Sequence, residues 1–193
     1  FAQETVKVND YEFTPIQDHD VNGVQDQYRT GTCWSFSSLS FLESESKRIK
    51  NMDVKLAEMW IVRHTYIEKA ERYIRFHGNV NFEAGGAFHD ATAIIEKYGI
   101  VPQSEYSGLN YGTEKHIHSE LNAVLKAMCQ AIVKNPNREL TTAWKDAIVG
   151  VIDAYLGAPV TQFEYQGKSF NPKSFADHIG IKPSDYYIMT SFS

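Results

Sequence analysis

The sequence predicts an α+β domain in which helices dominate. Three observations point there: five stretches place apolar residues at helical spacing, glycine or proline closes most of them, and strand signals are short and confined to the carboxy-terminal tail. With 193 residues, 42% hydrophobic and 22% charged, and only 6 Pro and 12 Gly, the chain has the size and composition of one globular domain with no linker and no internal repeat. A net charge of −5, with 19 Lys+Arg against 24 Asp+Glu and no long basic run, argues against nucleic acid as a partner. No apolar stretch approaches the roughly 20 residues of a membrane span.

The first thirty residues, rich in Asp, Asn, Gln and Thr, read as an extended arm and loop. Phe1-Ala2-Gln3-Glu4 has the character of a stub left by signal-peptide removal, which points to export to the periplasm or exterior; without such processing the protein is expected in the cytoplasm. A helix is expected from Cys33 to Lys50, apolar first and solvated later, with Glu43 and Lys47 paired at i,i+4. A second spans about Lys55 to His77, where Leu56, Met59, Trp60, Ile67, Ala70 and Ile74 share a face and Gly78 supplies the stop. A third runs from Ala87 to Tyr98, closed by Gly99 and Pro102. Two more, about Glu114 to Lys134 and Thr141 to Leu156, flank Asn135-Pro136-Asn137 and suit an antiparallel hairpin. The tail holds a strand near Gln162 to Tyr165, a turn at Gln166-Gly167, a small helix opened by Asn171-Pro172 and a strand near Tyr186 to Thr190.

Chemistry concentrates between Gln27 and Phe36, where a polar loop with Gly31 delivers Cys33 to the first turn of a helix. Free N–H groups and the positive dipole end favour a thiolate there, the nucleophilic form. The Cys33 N–H can also donate to the oxyanion of a tetrahedral intermediate, with the Gln27 amide six positions upstream as second donor. Cys129, mid-helix among Ala127, Met128 and Ile132, reads as a small core residue. Two cysteines are too few for a disulfide scaffold.

Gln27, then Gly31 two residues before Cys33-Trp34, resembles the signature of the papain-like cysteine peptidases. Thr30 and Thr32 replace residues that secreted members of that family carry as Cys and as Ser or Ala, so the neighbouring disulfide is lost and the resemblance turns toward the bleomycin hydrolase and aminopeptidase C group. Leu56-Ala57-Glu58-Met59-Trp60-Ile61-Val62-Arg63 is similar to that group's second helix, Glu83-Ala84-Gly85-Gly86 to the glycine pair lining its S2 subsite, and Lys97 to Pro102 to the turn that follows. The resemblance implies a papain-like fold, mainly its helical subdomain, with about 114–156 as a helical insertion. It implies Cys33 as nucleophile, Gln27 as oxyanion donor, and Trp34, Gly85 and Gly86 at the substrate, with no metal or cofactor. Glycine suits such a place because an extended peptide can approach it and exchange main-chain hydrogen bonds.

A cysteine nucleophile needs a histidine base and a group to orient it. His19, His64, His77 and His89 read as surface or structural, and His116 and His118, two apart on a helix, would point to different sides. His178 lies 145 positions beyond Cys33, inside the roughly 130–150 window of papain relatives. It is nevertheless not expected to be the base: Asn171-Pro172 opens a helix that would carry it, no Asn follows it, and in the resembling group a Pro-Lys-Ser-Phe segment precedes the catalytic histidine. Residues 1–193 are therefore expected to be the amino-terminal part of one peptidase domain, with His and Asn supplied by a carboxy-terminal half or a second chain. The expected activity is peptide hydrolysis, aminopeptidase-like by resemblance. The alternatives are a peptide-binding module without the base and a cysteine acyltransferase; a homo-oligomer is left open.

Overall fold

The computed structural model describes residues 6–14, 20–137, 139–189 and 191. His19 and the Phe1-Ala2-Gln3-Glu4 segment lie outside them. The arm expected near the amino terminus is extended but pairs with itself. Strands β1 (Val6–Val8) and β2 (Tyr11–Phe13) form an antiparallel hairpin with Val8 opposite Tyr11, turned by Asn9 at φ 56°. Asn tolerates that left-handed conformation better than most residues.

Helix α1 (Cys33–Lys50) keeps its expected bounds and ends on Asn51, also left-handed at φ 54°. It is buried further along than its composition suggests. Glu43 is buried, not paired with Lys47: its carboxylate accepts the Leu56 N–H at 2.8 Å and the Asn22 amide at 2.9 Å, while Lys47 reaches Asp20 at 3.3 Å. A carboxylate can be buried there because those donors replace water.

Helix α2 (Glu58–Arg75) is the axis of the domain and contacts α1, α3 (Phe88–Tyr98), α4 (Ser119–Val133) and α5 (Ala143–Leu156). Its residues from Glu58 to Ile67 are buried on every side, as a helix surrounded by others must be. Several of the polar ones among them find partners on the surrounding elements, whereas the Thr65 hydroxyl and His64 Nε2 make no hydrogen bond among the described residues. The Trp60 indole donates to the Gly99 carbonyl at 3.0 Å, the Arg63 guanidinium pairs with Asp153 of α5 at 2.7 Å, and the Tyr66 hydroxyl bonds to Asn122 of α4 at 2.5 Å. His64 stacks on Tyr98 with ring centroids 4.1 Å apart, and burial lowers its pKa to about 3.

The fourth helix begins at Ser119, not near Glu114, because the preceding residues are drawn into a parallel bridge with the loop ahead of Cys33. The Arg29 N–H donates to the His116 carbonyl at 3.1 Å, and the His118 N–H donates to the Arg29 carbonyl at 3.2 Å. His116 and His118 consequently lie in the bridged segment before the helix, not on it, with His118 as the N-cap of the fourth helix. Helices α4 and α5 pack against each other and both against α2.

In the tail, the expected strand and turn are present as β3 (Phe163–Tyr165) and Gln166-Gly167, and a second strand that was not expected, β4 (Lys168–Phe170), pairs with β3 to close an antiparallel hairpin. Helix α6 (Pro172–His178) follows, capped by the Asn171 side chain, which accepts from the Lys173 and Ser174 N–H groups at 3.0 and 2.9 Å. A single 3-10 turn spans Pro183–Asp185. The strand expected near Tyr186 to Thr190 is not formed: residues 186–189 are irregular and Thr190 lies outside the described residues. A strand needs a neighbour for its ladder, and the segment has none among the described residues; Tyr186 packs on Phe41 and Phe88 instead.

Glu58 gives the fold a pH dependence. Burial pushes its pKa from 4.5 to about 7, with the Glu43 carboxylate adding repulsion. A raised acid pKa means the folded state holds a proton that the unfolded chain has released. The contribution is therefore fully present below pH 4.5 and is lost as pH rises through 7. Glu58→Gln should make the protein about 2–3 kcal/mol more stable than its parent at pH 8 and leave the two within about 0.5 kcal/mol at pH 4. Urea unfolding midpoints across that range check this, and parallel curves for the two proteins would contradict it.

Candidate active site

The loop before α1 is held by its own side chains. The Gln27 amide donates to the Thr30 carbonyl at 2.8 Å and the Thr30 hydroxyl donates back to the Gln27 carbonyl at 3.1 Å, closing a short ring of chain. The Thr30 and Thr32 hydroxyls meet at 2.5 Å, and Thr32 is fully buried. The two threonines thus connect by a hydrogen bond inside the loop. Thr32 forms the start of the helix, its carbonyl accepting the Ser35 and Phe36 N–H groups at 2.9 and 3.3 Å.

Cys33 is the first residue of α1 and is exposed. Neither its sulfur nor its N–H has a hydrogen-bond partner among the described residues. Its neighbours are fixed instead: the Ser35 hydroxyl donates to the Glu58 carbonyl at 2.9 Å, docking α1 on α2, and the buried Trp34 indole donates to the Ala84 carbonyl at 2.9 Å. Cys129 is fully buried in α4, where burial pushes its thiol pKa up to about 11.

The loop 83–86 is brought to Cys33 by contacts that only small residues permit. A Cβ on Gly31 would stand 2.8 Å from the Ala84 Cβ, and one on Gly86 would stand 2.7 Å from the Trp34 ring. Gly85 and Gly86 are both exposed, and the Gly86 N–H and C=O make no hydrogen bond among the described residues. Trp34 therefore acts from beneath, as the floor on which this loop rests. From the other side Lys69 of α2 donates to the Glu83 carbonyl at 2.8 Å and to the Gly85 carbonyl, and Lys126 of α4 pairs with the Glu83 carboxylate at 2.6 Å. Sequence patterning did not single out Lys69, and it included Glu83 only as the start of the run that leads to the glycine pair: a lysine on a helix and a glutamate in a loop carry no local signal of a tertiary contact.

No histidine makes a hydrogen bond or ring contact with Cys33 among the described residues. His118 is fully buried with neither ring nitrogen bonded, and burial lowers its pKa to about 4; burial also lowers that of His116. Both are neutral near pH 7. They support the bridge to Arg29, two residues before Gly31, rather than reaching the thiol. His178 ends α6, half-buried, its ring 4.7 Å from that of Phe170. No group of three or more His, Cys, Asp or Glu side chains among the described residues could hold a metal ion. Nor is any described helix long and apolar enough to cross a membrane. A cavity of about 310 Å³ lies along α1 one turn beyond Cys33, lined by Val24, Phe36, Ser37, Ser40, Glu43 and Glu58.

The sequence profile of the Peptidase C1-like family matches residues 2–190. The chain belongs to that family. It is similar to aminopeptidase C of Streptococcus thermophilus, 23% identical over 84% of this chain and 45% of the relative, and to those of Listeria monocytogenes, 24% over 90% and 45%, and Lactobacillus delbrueckii subsp. lactis, 24% over 96% and 47%. The crystal structure of PepW from Lactobacillus rhamnosis superposes with a TM-score of 0.66 at 22% identity, covering 86% of this chain and 46% of that one. The fold is accordingly the papain-like α+β fold of the bleomycin hydrolase and aminopeptidase C group, represented here by its helical part. The chain spans somewhat under half the length of the curated relatives it matches.

Within this Peptidase C1-like fold the two cysteines should differ sharply toward alkylation. Cys33 is exposed at a helix start, Cys129 buried with a raised pKa. Brief iodoacetamide treatment at pH 7 followed by peptide mapping should label Cys33 at least about 100 times faster. Equal labelling, or faster labelling of Cys129, would remove Cys33 from the nucleophile's place.

Proposed function

We propose that the protein is a cysteine peptidase acting through an acyl-enzyme on Cys33. The observation that carries this reading is the juxtaposition of an exposed thiol at a helix start with a loop whose Gly86 main chain is free to pair with a peptide. The Cys33 sulfur attacks the scissile carbonyl carbon, and the negative charge that develops on the carbonyl oxygen is met by the Cys33 N–H and the second N–H of the Gln27 amide. The C–N bond breaks as the amine leaves with a proton from a histidine; water then attacks the thioester, gives its proton to that base and releases the acid. Gly85 and Gly86 line the peptide's path, and no metal or cofactor takes part.

The histidine and its orienting Asn are assigned to chain beyond residue 193 or to a second chain, with residues 1–193 forming the amino-terminal part of one domain and α4–α5 a helical insertion. That the chain spans somewhat under half the length of the aminopeptidase C relatives supports this assignment. An aminopeptidase-like preference follows from the names of the relatives, with peptide as the substrate partner.

The test is hydrolysis of short peptides by the protein in its complete natural form and by residues 1–193 alone, with and without His178→Ala. The complete form should hydrolyse, His178→Ala should stay within about threefold, and loss of a true base would cost several orders of magnitude. Hydrolysis by the 193 residues alone that His178→Ala abolishes would overturn the assignment of the base. Binding without turnover would indicate a peptide-binding module, and transfer to added amines in place of hydrolysis an acyltransferase.

A further inference from the structure

The segment from Glu83 to Gly86 is pinned from two sides in alternation. The Glu83 and Gly85 carbonyls both turn to the Lys69 ammonium, while the Ala84 carbonyl between them turns the other way, to the Trp34 indole. The chain bends at Ala84 and forms no strand over 83–86, so side-chain donors hold these carbonyls, and two anchors of opposite direction fix the segment's register: a slip of one residue would exchange every carbonyl between Lys69 and Trp34. That register decides which way Gly86 presents its free N–H and C=O. An ammonium suits the task because it has three donors and no acceptor, and here it is half-buried on the rigid central helix. The Lys126 pair to the Glu83 carboxylate is exposed at both ends and adds little.

We infer that Lys69 is a positioning residue that sets the register of the 83–86 segment, so that Gly86 meets the main chain of a bound peptide. This rests on the peptidase reading given above. Lys69→Met keeps the length of the side chain and removes its donors; Lys69→Arg keeps two N–H groups for the two carbonyls. In the complete protein Lys69→Met should raise KM for a peptide about tenfold with kcat within about threefold, because pairing at Gly86 is made in ground state and transition state alike. Lys69→Arg should recover KM to within about threefold of the parent, and the Cys33 alkylation rate should stay within about twofold in both. Glu83→Gln, which removes only the exposed ion pair, should leave KM within about twofold.

Solvent exchange of the Trp34 indole N–H, assigned with Trp34→Phe, reads the anchor without any substrate and should quicken about tenfold in Lys69→Met as its Ala84 acceptor loosens. An unchanged KM and unchanged indole exchange in Lys69→Met would overturn the inference. A KM in Glu83→Gln as high as in Lys69→Met, or slowed Cys33 alkylation with KM unchanged, would do the same. If the complete protein proves not to hydrolyse peptides, the peptidase reading fails, and indole exchange alone then decides whether Lys69 holds the segment.

Discussion

Replacing Cys33 with alanine is expected to lower peptide hydrolysis by at least about 10⁴-fold while leaving the urea midpoint unchanged, since covalent catalysis has no other nucleophile to use. The exposed side chain makes no hydrogen bond among the described residues, so its removal disturbs no packing. Cys129→Ala provides the contrast: it should keep kcat within about twofold but cost about 1–2 kcal/mol of stability, because a fully buried side chain leaves a gap. A rate assay and a denaturation curve on each variant check both. Comparable activity in Cys33→Ala would end the acyl-enzyme reading.

Gln27→Ala is the second large effect, an expected loss of about 10- to 1000-fold in kcat through one missing oxyanion donor. The structure adds a complication that composition does not reveal: the same amide holds the Thr30 carbonyl at 2.8 Å, so part of the loss could come from a loosened loop. The two causes separate in the alkylation rate of Cys33, which needs no oxyanion stabilisation. An unaltered alkylation rate with reduced kcat assigns the loss to the oxyanion. Activity within about twofold of the parent would remove Gln27 from the site.

Local structure was legible wherever a single segment carries it. Helix α1 keeps its expected bounds because the loop, the glycine and the helix start are adjacent in sequence, and the β3–β4 turn follows from Gln166-Gly167. What escaped depends on contacts between distant segments. Glu43 looked like a surface partner of Lys47 until Leu56 and Asn22, 13 and 21 positions away, supplied its donors. Residues 114–118 have helix-compatible composition, but Arg29 draws them into a bridge. The run from Tyr186 has the aromatic and β-branched composition of a strand and, among the described residues, no edge to join. In the candidate site, the position of Cys33 at a helix start could be read from the chain, whereas the contact of Lys69 with two carbonyls depends on directions that only folding defines.

The most direct test of the central claim is a mass measurement on the complete protein, quenched in acid during turnover of a peptide ester or anilide and digested for mapping. The account predicts that the peptide containing Cys33 gains the mass of the substrate's acyl group, that the adduct is lost on further incubation in water, and that it is absent from Cys33→Ala. An acyl group on any other residue, or rapid hydrolysis in Cys33→Ala, would contradict it.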